Sequence, residues 1–311
     1  MINSRNYITV IGGANVDIIG SPYKNLRMKD SNPGKTTISL GGVGRNIGEN
    51  LVRLGIETQL ITAIGKDIYG KLIIEESEKI GLNIGESLIL KNENTSTYLA
   101  ILDKNGDMEL AISSMGIIEK MDIAFIESKR EIIENSAFCI VDTNIPFEVL
   151  EYLVRNFNVD FFLDTVSTTK AMKVKNILSY FHTIKPNKLE AEILSGIKIR
   201  NMVDLKKAAN YFVNKGINRV FITLGEDGVY YLDGEIEKYI DAPDIEVVNA
   251  TGAGDAFMAA LAYSYINNLD IENTIKFAIA TSIFTLKNEY TINPNLSVEN
   301  INNRMKELGL C

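Results

Sequence analysis

Cysteine and histidine are nearly missing from this chain of 311 residues, which has two of the first, Cys139 and Cys311, and one of the second, His182. One cysteine lies in the apolar run SAFCIVDT and the other is the last residue, so neither a disulfide framework nor a zinc cluster is on offer. A single histidine rules out a multi-histidine metal centre, and in YFHTIKPN it is expected to be structural. Basic clusters are missing too. Lys and Arg number 32 against 40 Asp and Glu, a net charge of −8, which argues against a nucleic-acid partner and for a small molecule. No apolar run approaches the roughly 20 residues of a membrane helix. MINSRNYITVIGG runs into a strand-like segment with no charged-then-apolar leader, so the expectation is a cytoplasmic chain without a membrane partner. Two phosphate-binding fingerprints are absent as well: GAGDAF has Phe257 where G-x-G-x-x-G needs glycine, and PGKTT has Lys29 where a Walker A loop needs its first glycine.

What is present is a regular alternation. Apolar residues make up 46% of the chain, ample for one large core. YITVIGG reads as a buried strand, VGRNIGENLVRLG as a helix stopped by Gly55, TQLITAIG as a strand, and DIYGKLIIEESEKIG as a helix from Asp67 to Gly81. From FCIVDT to INRVFITLG, short apolar runs alternate with amphipathic ones, including a helix over 168–181. Helices follow through 252–287 and near 297–308. The pattern predicts an α/β fold, a mostly parallel central sheet covered by helices on both faces, in one domain over 1–311. Segments 15–40 and 94–113 break the rhythm and are expected to form a small β lid; the two apolar runs around Asn105-Gly106 predict a hairpin.

Five stretches carry candidate chemistry. In NATGAGDAF a helix is expected from Asp255 onward, placing Gly252, Ala253 and Gly254 at an amino end where free N–H groups attract an anion. The plain alternative is a glycine turn capped by Asp255. In GGVGRNIGENLVRLG, Gly41 and Gly42 allow a ligand close to the backbone, and Asn46 can donate to and accept from sugar hydroxyls. In GGANVDI, Asn15 and Asp17 share one face of a strand and suit a vicinal diol. In KPNKLEAE, Asn187 and Glu190 span one helical turn and could order a hydrated Mg²⁺, though Asn187 could equally be only a helix cap. In ITLGEDG, Thr223, Gly225 and Gly228 suit a nucleotide lying over a strand end, or a plain turn.

Taken together and in this order, the stretches resemble the PfkB/ribokinase family of ATP-dependent carbohydrate and nucleoside kinases. The resemblance implies a Rossmann-like body with a β lid, ATP and Mg²⁺ as cosubstrate and cofactor, and Asp255 as catalytic base beside an anion hole of Gly252, Ala253 and Gly254. It implies sugar contacts from Asn15, Asp17, Gly41, Gly42, Asn46 and Asn144, nucleotide contacts from Asn187, Thr223, Gly225 and Gly228, and a water-mediated Mg²⁺ at Glu190. DSNPGK, GGVGRNI, ENTSTYL, KPNKLEAEILSGI, NATGAGDAFMA and EYTINPNLS are similar to the members that phosphorylate free pseudouridine on its ribose 5′-hydroxyl. For the base, Lys35 and the hydroxyls of TSTY are candidates, with Thr97 favoured over Ser96 and Tyr98. The helix end is expected to make Asp255 a weaker base. Many relatives carry Asp where Asn249 stands and use it near a monovalent cation, so K⁺ activation is in doubt. Lids often pair in such kinases, so a homodimer is expected. The rivals are a ribokinase-like sugar kinase, an adenosine or inosine kinase, a silent sugar- or nucleotide-binding regulator, and a NAD-dependent dehydrogenase.

Overall fold

The structure, a computed structural model, describes residues 7–310, so Cys311 and the first six residues lie outside it. In chain order the strands are β1 (Tyr7–Ile11), β2 (Asn15–Pro22), β3 (Gly34–Gly41), β4 (Glu57–Ile61), β5 (Ala63–Gly65), β6 (Leu88–Leu90) and β7 (Thr97–Leu102). They continue with β8 (Met108–Ser114), β9 (Cys139–Asp142), β10 (Phe161–Asp164), β11 (Thr183–Ile184), β12 (Arg219–Thr223), β13 (Val229–Leu232) and β14 (Glu237–Ile240). The longer helices are α1 (Val43–Arg53), α2 (Ile68–Ile80), α3 (Phe147–Asn156), α4 (Lys188–Ser195), α5 (Met202–Asn214), α6 (Ala253–Ile266), α7 (Ile271–Leu286) and α8 (Val298–Glu307).

Eight strands form the central sheet in the order β14-β13-β12-β11-β10-β9-β1-β4, parallel from β12 to β4 and antiparallel at β13 and β14. CIVD and FFLD are buried at every position, as strands covered on both faces must be. One face packs Val149, Leu150 and Leu153 of α3 with Leu205 and Phe212 of α5; the other packs Ile47 and Leu51 of α1 with α6 and α7. This is the α/β architecture the alternation implied.

The two segments outside the rhythm pair with each other in a second sheet, order β3-β2-β7-β8. Asp67 ties it to the body. Its carboxylate caps α2 by accepting from Gly70 N–H at 2.8 Å, and also accepts from the N–H and Oγ1 of Thr95, at 2.8 and 2.7 Å, just before β7.

The hairpin expected around Asn105-Gly106 forms, β7 against β8, with a loop over 103–107 in which the Asp103 carboxylate accepts from the N–H groups of Asn105 and Asp107. One local expectation fails. Residues 168–181 are not one helix: a single turn at Thr168–Ala171 gives way to 3₁₀ turns at Met172–Val174 and Leu178–Tyr180. Its apolar residues Ala171, Val174, Ile177 and Leu178 are buried all the same, so they report burial, and helix was only one way to achieve it. His182 is structural, its ring stacked on Phe162 and edge-on to Tyr265.

Candidate active site

The carboxyl ends of the parallel strands meet the amino end of α6. That edge is where open α/β sheets bind ligands. Two cavities open there. The larger, about 750 Å³, is lined by Asn187, Glu190, Thr223, Gly225 and Gly228 together with Lys185 and the 242–250 loop. The smaller, about 330 Å³, is lined by Asn15, Asp17, Gly42, Asn46, Asn144 and Gly252 with Ser96, Tyr98, Met115, Ile118 and Lys170. Val43, Val166 and Asp255 line both. Asp255 is thus the one ionisable side chain shared by the two chambers.

α6 begins at Ala253, two residues earlier than the sequence suggested, so Asp255 sits in its first turn and does not cap it. No side chain caps this helix, and the N–H groups of Ala253, Gly254 and Asp255 are left for a ligand. Gly252 sits at φ 83°, and a Cβ there would stand 2.1 Å from the Thr291 carbonyl oxygen, so only glycine makes this turn. Asp255 Oδ2 instead accepts from Asn46 Nδ2 at 2.8 Å, which fixes α1 against α6.

The other sequence-derived residues sort by position. Asn15 Nδ2 donates to Asp17 Oδ1 at 2.6 Å, and burial raises the Asp17 carboxyl against that bond. Gly41 does not line the cavity; it clears room for Asp17, whose Oδ2 lies 2.2 Å from where a Cβ would be. Asn187 is both a cap and a wall of the larger cavity. It forms a reciprocal capping box with Glu190, each side chain accepting from the other's N–H at 2.9 Å. Glu190 Oε2 also accepts from Thr165 Oγ1 at 2.6 Å, and no protein donor takes Oε1. A buried carboxylate with one free oxygen fits a Mg²⁺ that keeps most of its waters. Asn249 closes its own loop: Oδ1 accepts from Thr251 N–H at 2.9 Å and Nδ2 donates to the Glu289 carbonyl at 3.1 Å.

Lys35 and Thr97 are not brought to the smaller cavity. Lys35 pairs with Ser21, well up the strand from the Asp17–Ser39 pair, and is exposed. Thr97 pairs with Val16 on the opposite face, so Ser96 and Tyr98 line the cavity in its place.

Residues 5–298 match the model of the pfkB family carbohydrate kinases. The chain belongs to that family. It is 40% identical to the pseudouridine kinase of Escherichia coli (strain K12) over 302 residues, 96% of either chain. A putative sugar kinase from Clostridium perfringens superposes with a TM-score of 0.89 at 44% identity, covering 97% of this chain and 96% of that one. A putative ribokinase II from E. coli in complex with ATP and Mg²⁺ gives 0.83 at 16% identity, covering 97% and 99%, a likeness of fold.

Several residues of this kinase's site were missed in the sequence. Asp142 and Asp164 end neighbouring strands and pair across them. Asp142 accepts from the N–H groups of Gly13 and Asn144, at 2.8 and 2.7 Å, yet burial pushes its carboxyl up to about 6. Val166, a β-branched residue at φ 60°, holds a conformation that costs on the order of 1–3 kcal/mol and marks the wall between the chambers. Lys170 donates to Asn144 Oδ1, and burial lowers its ammonium. The signal for the acids was visible: two apolar strands each end in Asp-Thr.

Asp255 corrects an expectation. Burial, and then the Asp164 charge, push its carboxyl up to about 7, outweighing the Asn46 hydrogen bond and the Lys185 charge. It is a stronger base than an ordinary aspartate. A base acts in its ionised form, so turnover should climb as pH rises through about 7 and level off above it. A profile already flat at pH 5 would remove Asp255 as the base. Asp255→Asn should lower turnover by on the order of 10²–10⁴ while substrate binding persists.

Proposed function

We propose that the chain transfers the γ-phosphoryl group of ATP to the ribose 5′-hydroxyl of free pseudouridine, giving pseudouridine 5′-phosphate and ADP. The observation that carries the reading is Asp255, at an uncapped helix end, facing a nucleotide-sized cavity on one side and a nucleoside-sized cavity on the other. ATP lies in the larger chamber over Asn187, Thr223, Gly225 and Gly228, with Mg²⁺ at Glu190 through water; the E. coli ribokinase II structure with ATP and Mg²⁺ supports that pair. The metal supplies charge to the phosphates. The chain's own part is to position both substrates, take the 5′ proton on Asp255, and offer the N–H groups of Ala253, Gly254 and Asp255 to the transferring oxygens. Gly252 and Ala253 shape that anion hole. Asn15, Asp17, Gly42 and Asn46 hold the ribose, with Gly41 supporting Asp17.

The base end of the smaller chamber favours a nucleoside over a free sugar. Tyr98, Met115 and Ile118 offer an apolar wall that a pentose would leave unused, and Lys170 with Asn144 offers donors to a ring carbonyl. The relation to the E. coli pseudouridine kinase points to that base. In this reading the small sheet is a lid over the ribose and the kinase works in the cytoplasm, where ATP is made.

The outer face of the lid carries Ile38, Leu99 and Ile112 in one row and Leu110 two residues along β8, with Ile38, Ile112 and Leu110 55–57% exposed. A second copy of the chain would cover it, making a homodimer.

With Mg-ATP, ADP release should appear with pseudouridine and be at least ~10²-fold slower with ribose or fructose, since a site whose buried donors are built for a ring carbonyl rejects analogues that leave them unpaired. Equal turnover of ribose would overturn the nucleoside reading. Lys170→Met should raise KM for the nucleoside by about 10–100-fold with kcat nearly kept, as for loss of a charged hydrogen bond; an unchanged KM would remove Lys170 from base recognition. Sedimentation should show twice the chain mass for wild type and a monomer for Ile112→Lys; a monomeric wild type would sink the dimer.

A further inference from the structure

The site contains an imbalance of charge that the roles given so far leave unexplained. Asp142, Asp164, Asp255 and Glu190 converge on the sheet edge, and a triphosphate is to be brought among them. The counter-charge the strands themselves deliver is Lys185, placed where β11 ends and one residue before Pro186 leads into the capping box. It is only 6% exposed yet lines the larger cavity. Its Nζ lies 3.0 Å from Asp164 Oδ2. On its other side it presses on the amino end of α6, 3.3 Å from where a Cβ on Gly254 would stand. The Asp164 contact does not use up the ammonium, which has three donors, and no second carboxylate among the described residues lies within 4 Å of it.

We propose that Lys185 is a further catalytic residue, whose ammonium bonds the γ-phosphoryl group at the amino end of α6 while the group passes from ATP to the acceptor. The proposal rests on the reading of the chain as an ATP-dependent kinase and is indifferent to which alcohol accepts. In the step, the bond from the acceptor oxygen to the γ-phosphorus forms as the bond from that phosphorus to the β–γ bridging oxygen breaks. The acceptor proton passes to Asp255, and the electron pair of the broken bond leaves on ADP. Lys185 neither gives nor takes a proton. Burial alone would push its ammonium down, but Asp164, with Glu190 and Asp255 beyond it, holds it above the usual lysine range, so its charge is fixed through the working pH. Asp164 in turn holds the lysine in place, its Oδ1 accepting from Val166 N–H at 2.9 Å. A phosphate arriving beside Gly254 would meet both the helix N–H groups and a cation already stripped of water, which costs little reorganisation during transfer.

The competing account is that Lys185 only neutralises Asp164, since a buried carboxylate left without its partner is costly. Two variants separate these. Lys185→Met strands Asp164, whereas Lys185→Met/Asp164→Asn removes both charges and should melt close to wild type. Each is titrated with Mg²⁺ and either ADP or the β,γ-imido analogue of ATP, and assayed for turnover on whichever acceptor wild type uses best. Both variants should lose about tenfold or more of their affinity for the triphosphate analogue, with ADP affinity within a few-fold of wild type. Turnover should fall on the order of 10²–10³ in both, the range for loss of one transition-state donor. Recovery of turnover by the double variant, or equal loss of ADP and analogue binding, would reduce Lys185 to a counter-ion. The ADP-against-analogue comparison needs no acceptor. A wrong assignment of pseudouridine would therefore show in the wild-type acceptor panel and leave this result standing.

Discussion

Charge of one sign is concentrated at the carboxyl edge of the central sheet, and the amino end of α6 is what makes that tolerable. Strands β9 and β10 deliver Asp142 and Asp164 side by side, α4 adds Glu190, and α6 adds Asp255. Three backbone N–H groups without intrahelical partners and the ammonium of Lys185 stand among them. Burial raises the carboxyls of Asp142 and Asp255, and the neighbouring Asp164 charge adds to it, while Lys185 pulls Asp255 the other way.

The same arrangement explains why two chambers meet at one residue. Asn46 donates to Asp255 and ties α1 to α6 at the point where the cavities meet. Val166 holds its strained backbone between them. Asp67 anchors the root of β7 to the body, so Ser96 and Tyr98 meet the smaller cavity at a fixed height. Glu190, bound on one oxygen and free on the other, is ordered before any ligand arrives.

Much of this was legible in the sequence, for reasons tied to particular residues. The parallel sheet followed from apolar runs such as CIVD and FFLD, and the start and stop of α2 from Asp67 and Gly81, because these signals are local. Asn15 and Asp17 shared a face because strand parity is fixed. Parity gives direction but not distance along a strand, and Lys35 was misplaced for that reason: it points the way Asp17 does but lies too far up β3. Thr97 fell on the wrong face because the register of β7 is set by its pairing with β2. Lys170 was hidden in a segment whose apolar spacing suggested a helix and which folds as separate turns. The basicity of Asp255 was read with the wrong sign, since burial by α1 and Asp164 is a tertiary property and the helix end a local one.

The central claim is that Asp255 stands between a phosphoryl donor and a sugar hydroxyl. A cocrystal structure with the β,γ-imido analogue of ATP, Mg²⁺ and pseudouridine tests it most directly. The account predicts the triphosphate in the chamber of Asn187 and Thr223, the nucleoside in the chamber of Asp17 and Asn46, and the 5′-oxygen in line with the γ-phosphorus at roughly 3–3.5 Å, as a near-attack arrangement requires. It predicts the same oxygen within hydrogen-bond reach of Asp255. A nucleoside bound in the larger chamber, or a 5′-oxygen turned away from Asp255, would contradict it.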